Sequence, residues 1–293
     1  MNVPSKAKLS SLTYHFPDHQ RPRALVAADA NRPLGKLRGK VALVTGGDSG
    51  IGRAVALAFA REGAEVALSY LPEAQDEAEV TRNAVHQYER RCLLLPGDLN
   101  DPEWCRQIVR RTITAMSRMD ILVANTAAPR GPAILDQVNE ETFERHLNAD
   151  LMTYFRLARA AVPYMKRGSV ILATSSTLHS GACASPEQIA NHNGINAMTK
   201  ALAQNLLRRG IRVNAIEPGA ALIATARSNA DGDVPRHAIF AGRGLHGRPA
   251  QPDELAPAYV FLASPEDSSH ITGIVLPITG GEIIGTNAVT AIA

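Results

Sequence analysis

Three of the four glycines in the stretch 40–53 have the spacing of a phosphate-binding loop. Gly46 can make the tight turn that leaves a strand, Gly50 lets the backbone approach a pyrophosphate without a Cβ in the way, and Gly52 lets the next helix lie close to the sheet. The N-terminus of that helix would present unpaired N–H groups to the anion. Because the glycines lie between an apolar strand and an amphipathic run, we interpret the stretch as a nucleotide-binding site rather than an ordinary glycine-rich loop.

The elements that would position this loop alternate along the chain. Short apolar strands are followed by helical runs, which predicts an α/β fold with a doubly wound parallel sheet, the Rossmann fold, in a single domain. Ligands of such a sheet bind at the carboxyl ends of its strands. The strands are predicted at 41–44, 66–68, 92–95, 121–124, 169–173, 211–216 and 273–278, and the helices at 51–62, 73–90, 102–118, 139–166 (one helix or a pair), 186–209 and 252–263.

Two segments fall outside this alternation. Residues 1–36 are interrupted by prolines and show no regular periodicity, so we expect an extended arm that wraps a surface or a neighbouring subunit, or is partly disordered. Residues 37–293 would then form the folded domain. Within it, the irregular segment 218–250 is too long for a simple connection, and we interpret it as a lid over a substrate cleft.

The composition is that of an ordinary globular protein of 293 residues, with 45% hydrophobic and 20% charged residues. A net charge of +3 creates no field that favours nucleic acid or an anionic membrane, and no apolar run is long enough to span a bilayer. The three cysteines form no CxxC pair, and the first residues lack an apolar signal core, so a reducing, cytoplasmic compartment is expected. His146, His237 and His246 show no ligand spacing, so no metal site is expected.

The glycine loop is one of several motifs that occur together. Residues 45–52 read TGGDSGIG, Asp98 and Leu99 follow the third predicted strand, and residues 212–219 read RVNAIEPG. With these motifs and the closing helix at 251–264, the chain resembles the short-chain dehydrogenase/reductase family over nearly the whole predicted domain. The TGGDSGIG variant and the long arm resemble an N-terminally extended subgroup. The resemblance implies a nicotinamide dinucleotide held by Gly46, Asp48, Ser49, Gly50, Ile51, Gly52, Asp98, Leu99, Asn125, Pro218 and Gly219.

The resemblance also locates four catalytic positions, three of which are changed here. The family carries a serine after the fifth strand, a YxxxK motif in the next helix and an asparagine in the preceding helix. Ser175 fits the serine, whereas by the family's usual spacing the tyrosine position falls on Gln188 and the lysine position on His192. The asparagine position falls on Asp150, and the family's NNAG motif keeps only its second asparagine, Asn125.

These changes alter the proton chemistry, since in the family the tyrosine exchanges a proton with the substrate oxygen. Gln188 can hydrogen-bond a carbonyl but has no titratable proton. His192 lies one helical turn further on the same face and carries an imidazole, which Asp150 could orient directly or through a water. Ser175 could donate to a developing oxyanion. We predict that His192, supported by Asp150, is the proton carrier; the alternative is a decayed site whose residues only pack or meet solvent.

Other polar residues near the predicted cleft are weaker candidates. His179 follows Ser175 in a loop, and Glu217 precedes a Pro-Gly pair at the cleft. Most loop histidines are simply polar surface, and Glu217 also fits the edge between a helix and the sheet. The lid contains arginines that could meet an anionic substrate, although solvated charge is the plainer interpretation; they are Arg227, Arg236, Arg243 and Arg248.

The end of the second strand bears on the choice of cofactor. An acidic residue there would bind the ribose 2′-hydroxyl and favour NAD, but residues 69–71 read Ser-Tyr-Leu and the first carboxylate is Glu73. This pattern favours NADP. Because no arginine or lysine lies at 47–49 to meet a 2′-phosphate, NAD stays the alternative.

Three functions are compatible with these patterns. The first is an atypical NADP(H)-dependent reductase that acts on a carbonyl or imine of a small organic substrate, an imine needing less acid assistance than a ketone. The second is a non-redox isomerase, cyclase or dehydratase on the same scaffold. The third is a catalytically silent binding subunit. By resemblance alone, the protein is expected to form a homo-oligomer, either a tetramer or a dimer.

Overall fold

The computed structural model describes residues 35–125, 139–176, 186–219 and 248–281. Within them, seven parallel strands form one sheet, so the predicted doubly wound α/β fold is confirmed. The strand order is β3-β2-β1-β4-β5-β6-β7. The strands are β1 (Val41–Thr45), β2 (Glu65–Tyr70), β3 (Cys92–Pro96), β4 (Ile121–Ala124), β5 (Val170–Thr174), β6 (Arg212–Pro218) and β7 (Val275–Ile278).

Helices connect these strands and cover both faces of the sheet. Each predicted helix is present, with ends that differ by a few residues, and the run predicted over 139–166 is a pair of helices joined by a π turn at Asn148–Met152. Short 3₁₀ turns occupy Pro72–Ala74, Val162–Tyr164 and Leu207–Arg209. The helices are α1 (Gly50–Arg61), α2 (Gln75–His86), α3 (Pro102–Met116), α4 (Glu140–Leu147), α5 (Thr153–Ala161), α6 (Pro186–Leu206), α7 (Pro252–Ala263) and α8 (Pro265–Ser268).

The apolar core consists of two clusters, one on each face of the sheet. Alternate residues of a strand point to opposite faces, so Val44 packs in the cluster that contains Phe59 and Tyr259, whereas Leu43 packs in the cluster that contains Tyr154. All five side chains are at most 1% exposed. Burial of the central strands on both faces explains their continuous apolar sequences, which the sequence analysis interpreted as parallel strands.

The two outer strands differ from the central ones in exposure and in composition. Strand β7 is only partly buried and β3 is buried mainly at Leu95, whereas β1, β4 and β5 are buried throughout. Each outer strand contains a proline, Pro96 in β3 and Pro277 in β7. Proline has no N–H to donate, which is tolerated at the edge of a sheet.

The folded part includes the residues just before the predicted domain boundary at residue 37. Leu37 is fully buried, and its N–H donates to the carbonyl of Glu62 at 3.0 Å. Lys36 pairs with Asp267, its Nζ lying 2.7 Å from a carboxylate oxygen. The rest of the predicted arm, up to residue 34, and residues 220–247 of the predicted lid lie outside the described residues. In the described part of the chain, no helix has the length and apolarity needed to cross a membrane.

Candidate active site at the carboxyl edge of the sheet

The strand order reverses between β1 and β4, which is where a sheet of this kind forms a ligand crevice. The chain proceeds from β1 to one side of the sheet and from β4 to the other, so the loops that follow these two strands diverge and leave space between them. The glycine loop follows β1 and Asn125 follows β4. The two segments touch, because a Cβ built on Gly46 would lie 2.9 Å from the Asn125 carbonyl oxygen.

The glycine loop has a conformation that side chains would obstruct. Gly46 has φ +62, in the left-handed region that favours glycine. A Cβ on Gly52 would lie 1.9 Å from the Gly46 carbonyl oxygen, so the close neighbour of Gly52 is the loop itself. The loop leads into α1, whose N-cap Ser49 makes no side-chain capping bond. The first N–H groups of α1 are therefore available to an anion lying against the loop.

Arg53 fastens the glycine loop to α2, a role that the sequence analysis missed. Its Nε donates to the carbonyl of Asp48 and to the Thr81 hydroxyl, each at 2.9 Å. Its Nη2 donates to the carbonyl of Glu77 at 3.1 Å. The basic residue following a GIG sequence was the only local signal, and its partners in α2 are distant in sequence. The loop is thus fixed before any ligand arrives.

A chain of hydrogen bonds fixes Asn125 at the floor of the crevice. Its backbone N–H donates to the Thr45 hydroxyl at 2.9 Å, and its side-chain amide donates to the Thr45 carbonyl at 3.2 Å. The Thr174 hydroxyl donates to Asn125 Oδ1 at 2.9 Å and lies 2.7 Å from the Tyr259 hydroxyl. The ends of β1, β4 and β5 are thereby joined to α7. Thr174 and Tyr259 were not among the predicted site residues.

The Asp98-Leu99 pair lies at the same edge, after β3. Asp98 is exposed, and its Oδ1 accepts from the backbone and side-chain nitrogens of Asn100 at 2.8 and 3.0 Å. The Leu99 carbonyl accepts from the Thr153 hydroxyl at 3.3 Å, which ties this loop to the first turn of α5. The pair therefore borders the crevice on the β3 side with a fixed backbone and an open carboxylate.

The end of β2 has no acidic side chain facing this region. The Ser69 side chain is fully buried, and its hydroxyl has no hydrogen-bond partner among the described residues. Tyr70 donates its hydroxyl proton to Gln75 Oε1 at 2.7 Å, and burial raises the pKa of this phenol. Both groups are neutral hydrogen-bonding side chains, so the β2 end presents neither the carboxylate typical of NAD sites nor a cation.

The predicted catalytic serine and histidine positions are adjacent. Ser175 follows β5 and is 5% exposed; its hydroxyl donates to the backbone carbonyl of His192 in α6 at 3.3 Å. The His192 side chain is half-buried, as is that of Gln188 one turn earlier in α6. Three of the four predicted catalytic residues therefore lie at the carboxyl edge of β5 and the facing part of α6.

Asp150, the fourth predicted residue, lies on the π turn between α4 and α5. It is 3% exposed, and its Oδ2 accepts from the Asn191 side-chain amide at 2.7 Å. Asn191 Oδ1 also accepts a hydrogen bond from the backbone N–H of Leu151, in the π turn, at 3.2 Å. The contact of Asp150 with α6 thus includes the residue directly before His192, which the sequence analysis did not single out.

The chain matches known proteins over most of its length. A family model described as enoyl-(acyl carrier protein) reductase matches residues 46–282. General stress protein 39 of Bacillus subtilis (strain 168) is 40% identical over 252 residues, which cover 86% of this chain and 87% of that protein. The chain belongs to the short-chain dehydrogenase/reductase family. Another member, NADPH-dependent aldehyde reductase 1, chloroplastic, of Arabidopsis thaliana, is 37% identical over 259 residues, covering 86% of this chain and 89% of that one.

Solved structures of short-chain dehydrogenases share the fold. A short-chain dehydrogenase from Burkholderia cenocepacia J2315 in complex with NADP superposes with a TM-score of 0.77. It is 30% identical in sequence, and the match covers 84% of this chain and 99% of that one.

The remaining candidates of this short-chain dehydrogenase/reductase occupy different places. Glu217 is 5% exposed at the end of β6 and accepts from the Asn196 side-chain amide at 3.1 Å. Gly219 donates its N–H to the Ile278 carbonyl at 2.9 Å, which holds the Pro218-Gly219 pair against β7. Arg248 pairs with Glu254 at 2.7 Å, so its charge is already compensated. The candidates that lie outside the described residues are His179, Arg227, Arg236 and Arg243; His237 and His246, which were not expected to bind a metal, lie there too.

Proposed function

We propose that the protein is an NADP(H)-dependent reductase that acts on a carbonyl or imine of a small organic substrate without the family's usual tyrosine and lysine. The observation that carries the proposal is the adjacency of Ser175 and His192 at the edge of the sheet that also holds the glycine loop. Family membership supports the redox reaction class. The Arabidopsis relative is named as an NADPH-dependent aldehyde reductase, and the Burkholderia neighbour is in complex with NADP.

The crevice fits a dinucleotide. Gly46 and Gly52 let the loop pack closely on Asn125 and on itself, where a Cβ would clash, and the N-terminus of α1 has no side-chain cap to compete with a pyrophosphate. Asn125 and the Leu99 carbonyl are fixed by hydrogen bonds on either side of the loop. The neutral end of β2 accommodates a 2′-phosphate without the repulsion that a carboxylate would cause, which favours NADP over NAD.

In this proposal, NADP(H) supplies the hydride, and the chain positions the substrate and handles the proton. The Ser175 hydroxyl exchanges its acceptor, the His192 carbonyl, for the substrate oxygen or nitrogen as negative charge develops there. Gln188 orients the substrate by a hydrogen bond. The imidazole of His192 then delivers the proton, and Asp150 with Asn191 holds the α6 backbone that carries it.

The test is NADPH consumption, followed by its near-ultraviolet absorbance, across a panel of aldehydes, ketones and cyclic imines. The wild type is expected to turn over at least one class, with imines favoured over ketones. His192→Ala should lower kcat by about 10²-fold or more, the contribution typical of a general acid. Exposed His270→Ala is the matched control and should leave kcat unchanged.

Two further variants separate the roles of the neighbouring serines. Ser175→Ala should lower kcat, whereas Ser176→Ala should not; the reverse result would place the catalytic serine one residue later. Turnover of a substrate without net oxidation of NADPH would favour a non-redox isomerase, cyclase or dehydratase. Binding of NADPH with no turnover of any kind would favour a silent binding subunit.

Other parts of the proposal concern the whole chain. We place it in the N-terminally extended subgroup, with residues 1–36 as an arm and 218–250 as a lid, and in a cytoplasmic homo-oligomer. The TGGDSGIG motif supports the subgroup, and family membership supports the oligomer. Light scattering of the full chain and of a variant lacking residues 1–33 would measure whether the arm contributes to assembly.

A further inference from the structure

Glu187, in the first turn of α6, has a carboxylate in an unusual setting. The residue is fully buried, and neither of its carboxylate oxygens has a hydrogen-bond partner among the described residues. The carboxylate is paired with the imidazole of His146 in α4, whose Nδ1 lies 3.4 Å from Oε1. His146 is 3% exposed, and this nitrogen also has no hydrogen bond. Among the described residues, the two groups therefore face each other without a hydrogen bond where α4 packs against α6.

Such a pair is not an efficient way to stabilise a fold. A buried carboxylate without hydrogen bonds loses its hydration, and attraction to one partner restores only part of that loss. Replacing a buried pair by apolar side chains of similar size is often neutral or stabilising. A leucine at both positions would match the apolar interior better. A function other than stability is the simpler explanation for a carboxylate at this position.

The pair is joined to the candidate active site through Asn191. The side-chain amide of Asn191 donates to the backbone carbonyl of His146 at 3.1 Å and to Asp150 at 2.7 Å. Glu187 and Asn191 are one helical turn apart on the buried face of α6. Gln188 and His192 directly follow them in the chain. A shift of α6 against α4 at the pair would therefore displace both active-site positions.

We propose that Glu187 and His146 are positioning residues that set how the first two turns of α6 sit on α4 and the π turn, and thereby where Gln188 and His192 lie. The inference rests on the proposed function only for its kinetic readout. Both residues are at most 3% exposed, so we assign them a contact between helices and not a contact with substrate. The attraction between the two polar groups favours one contact, at 3.4 Å, between α4 and α6, whereas two leucines could pack against each other at several relative positions of the helices.

The experiment compares three variants of the full chain. In the double variant His146→Leu/Glu187→Leu the apolar pair replaces the polar one. In Glu187→Gln a neutral amide of nearly the same size keeps a polar group opposite His146. Exposed Glu140→Gln in the same α4 is the control. Each is measured for its urea unfolding midpoint, its NADPH-linked kcat and KM, and the ring resonances of His192 in protein with labelled histidine. A His192→Ala spectrum assigns that signal.

The double variant should unfold at the wild-type urea concentration or a higher one, with kcat reduced about tenfold or more and with the His192 resonances displaced. Glu187→Gln should recover most of kcat and most of the wild-type resonance positions. A stable double variant with unchanged kcat and unmoved His192 signals would overturn the inference. If the wild type itself turns over no substrate, the proposed function fails, and the His192 resonances still decide the positioning role. If the double variant does not fold, unmoved resonances in Glu187→Met overturn the inference and displaced ones support it.

Discussion

Removing the hydroxyl of Tyr259 tests the hydrogen-bond chain that fixes Asn125. The Thr174 hydroxyl has one proton and donates it to Asn125 Oδ1 at 2.9 Å, so the Tyr259 hydroxyl 2.7 Å away must be the donor to Thr174. Tyr259 is fully buried, and burial raises the pKa of its phenol well above the ordinary range, which keeps that proton in place. Tyr259→Phe therefore removes one bond and leaves Thr174 with an unfilled acceptor.

The effect of Tyr259→Phe on the free energy of unfolding should depend on whether Thr174 is present. In the wild type, Tyr259→Phe leaves one buried acceptor without its donor, at a cost of about 1–3 kcal/mol in the free energy of unfolding. The isosteric Thr174→Val removes the partner of the fully buried Tyr259 hydroxyl and the donor to Asn125 Oδ1, which is partly buried, at a cost of about 1–4 kcal/mol. Adding Tyr259→Phe to Thr174→Val then removes an unsatisfied hydroxyl. In that background the substitution should be neutral or stabilising.

The assay is urea unfolding of the wild type, both single variants and the double variant, at one protein concentration because assembly affects apparent stability. Circular dichroism follows the unfolding, and the four midpoints give a coupling free energy. Isothermal calorimetry with NADPH should show weakened binding in Thr174→Val, since Asn125 loses a restraint at the crevice, and nearly unchanged binding in Tyr259→Phe. An equal loss of stability from Tyr259→Phe in both backgrounds would refute the hydrogen-bond chain.

Three further predictions concern the loop, the catalytic pair and the thiols. Gly52→Ala places a Cβ 1.9 Å from the Gly46 carbonyl oxygen and must distort the loop, so calorimetry should show NADPH binding weakened at least about tenfold, or about 1.4 kcal/mol. Unchanged affinity would contradict the assignment of this loop to the cofactor. Restoring the family's pair with Gln188→Tyr/His192→Lys should raise ketone reduction by about 10²-fold, and a folded but inactive variant would indicate a decayed site. Burial raises the pKa of Cys92 to about 12 and that of Cys105 to about 11, from an ordinary 9.0. Above pH about 9 the unfolded chain loses these thiol protons while the folded chain keeps them, so the free energy of unfolding should decrease as the pH rises. Replacing both cysteines with alanine should make this decrease smaller, as measured by urea unfolding.

The fold was predictable because its signals are local. An apolar strand followed by an amphipathic helix can be recognised from about a dozen residues of sequence, and the repetition of this unit indicates a parallel sheet. The glycine loop could be predicted for the same reason, since its glycines lie within seven residues of one another. The ends of helices were harder to predict. The run predicted to continue to residue 90 ends at His86, and the helix predicted to reach residue 118 ends at Met116, because Ser117 takes a left-handed conformation with φ +64.

The contacts of the site were not predictable, because their partners are distant in sequence. Nothing near Thr174 indicates that it meets Tyr259, and nothing near Arg53 indicates that it reaches α2. Glu187 has the local signature of an exposed first-turn carboxylate that favours the helix dipole, yet the packing of α4 buries it completely. The role predicted for Asp150 stays a prediction, with the Asn191 contact added to it.

The prolines of the two outer strands have a consequence for handling the protein at high concentration. Open borders of a sheet attract further strands from other molecules, and such recruitment needs an unbroken row of amide donors. Pro96 and Pro277 each remove one donor from a strand of five and four residues, respectively. A recruited strand could form only a short, discontinuous ladder at either border. Fibrillar association through these borders is therefore disfavoured even when heating or mutation loosens the surrounding helices.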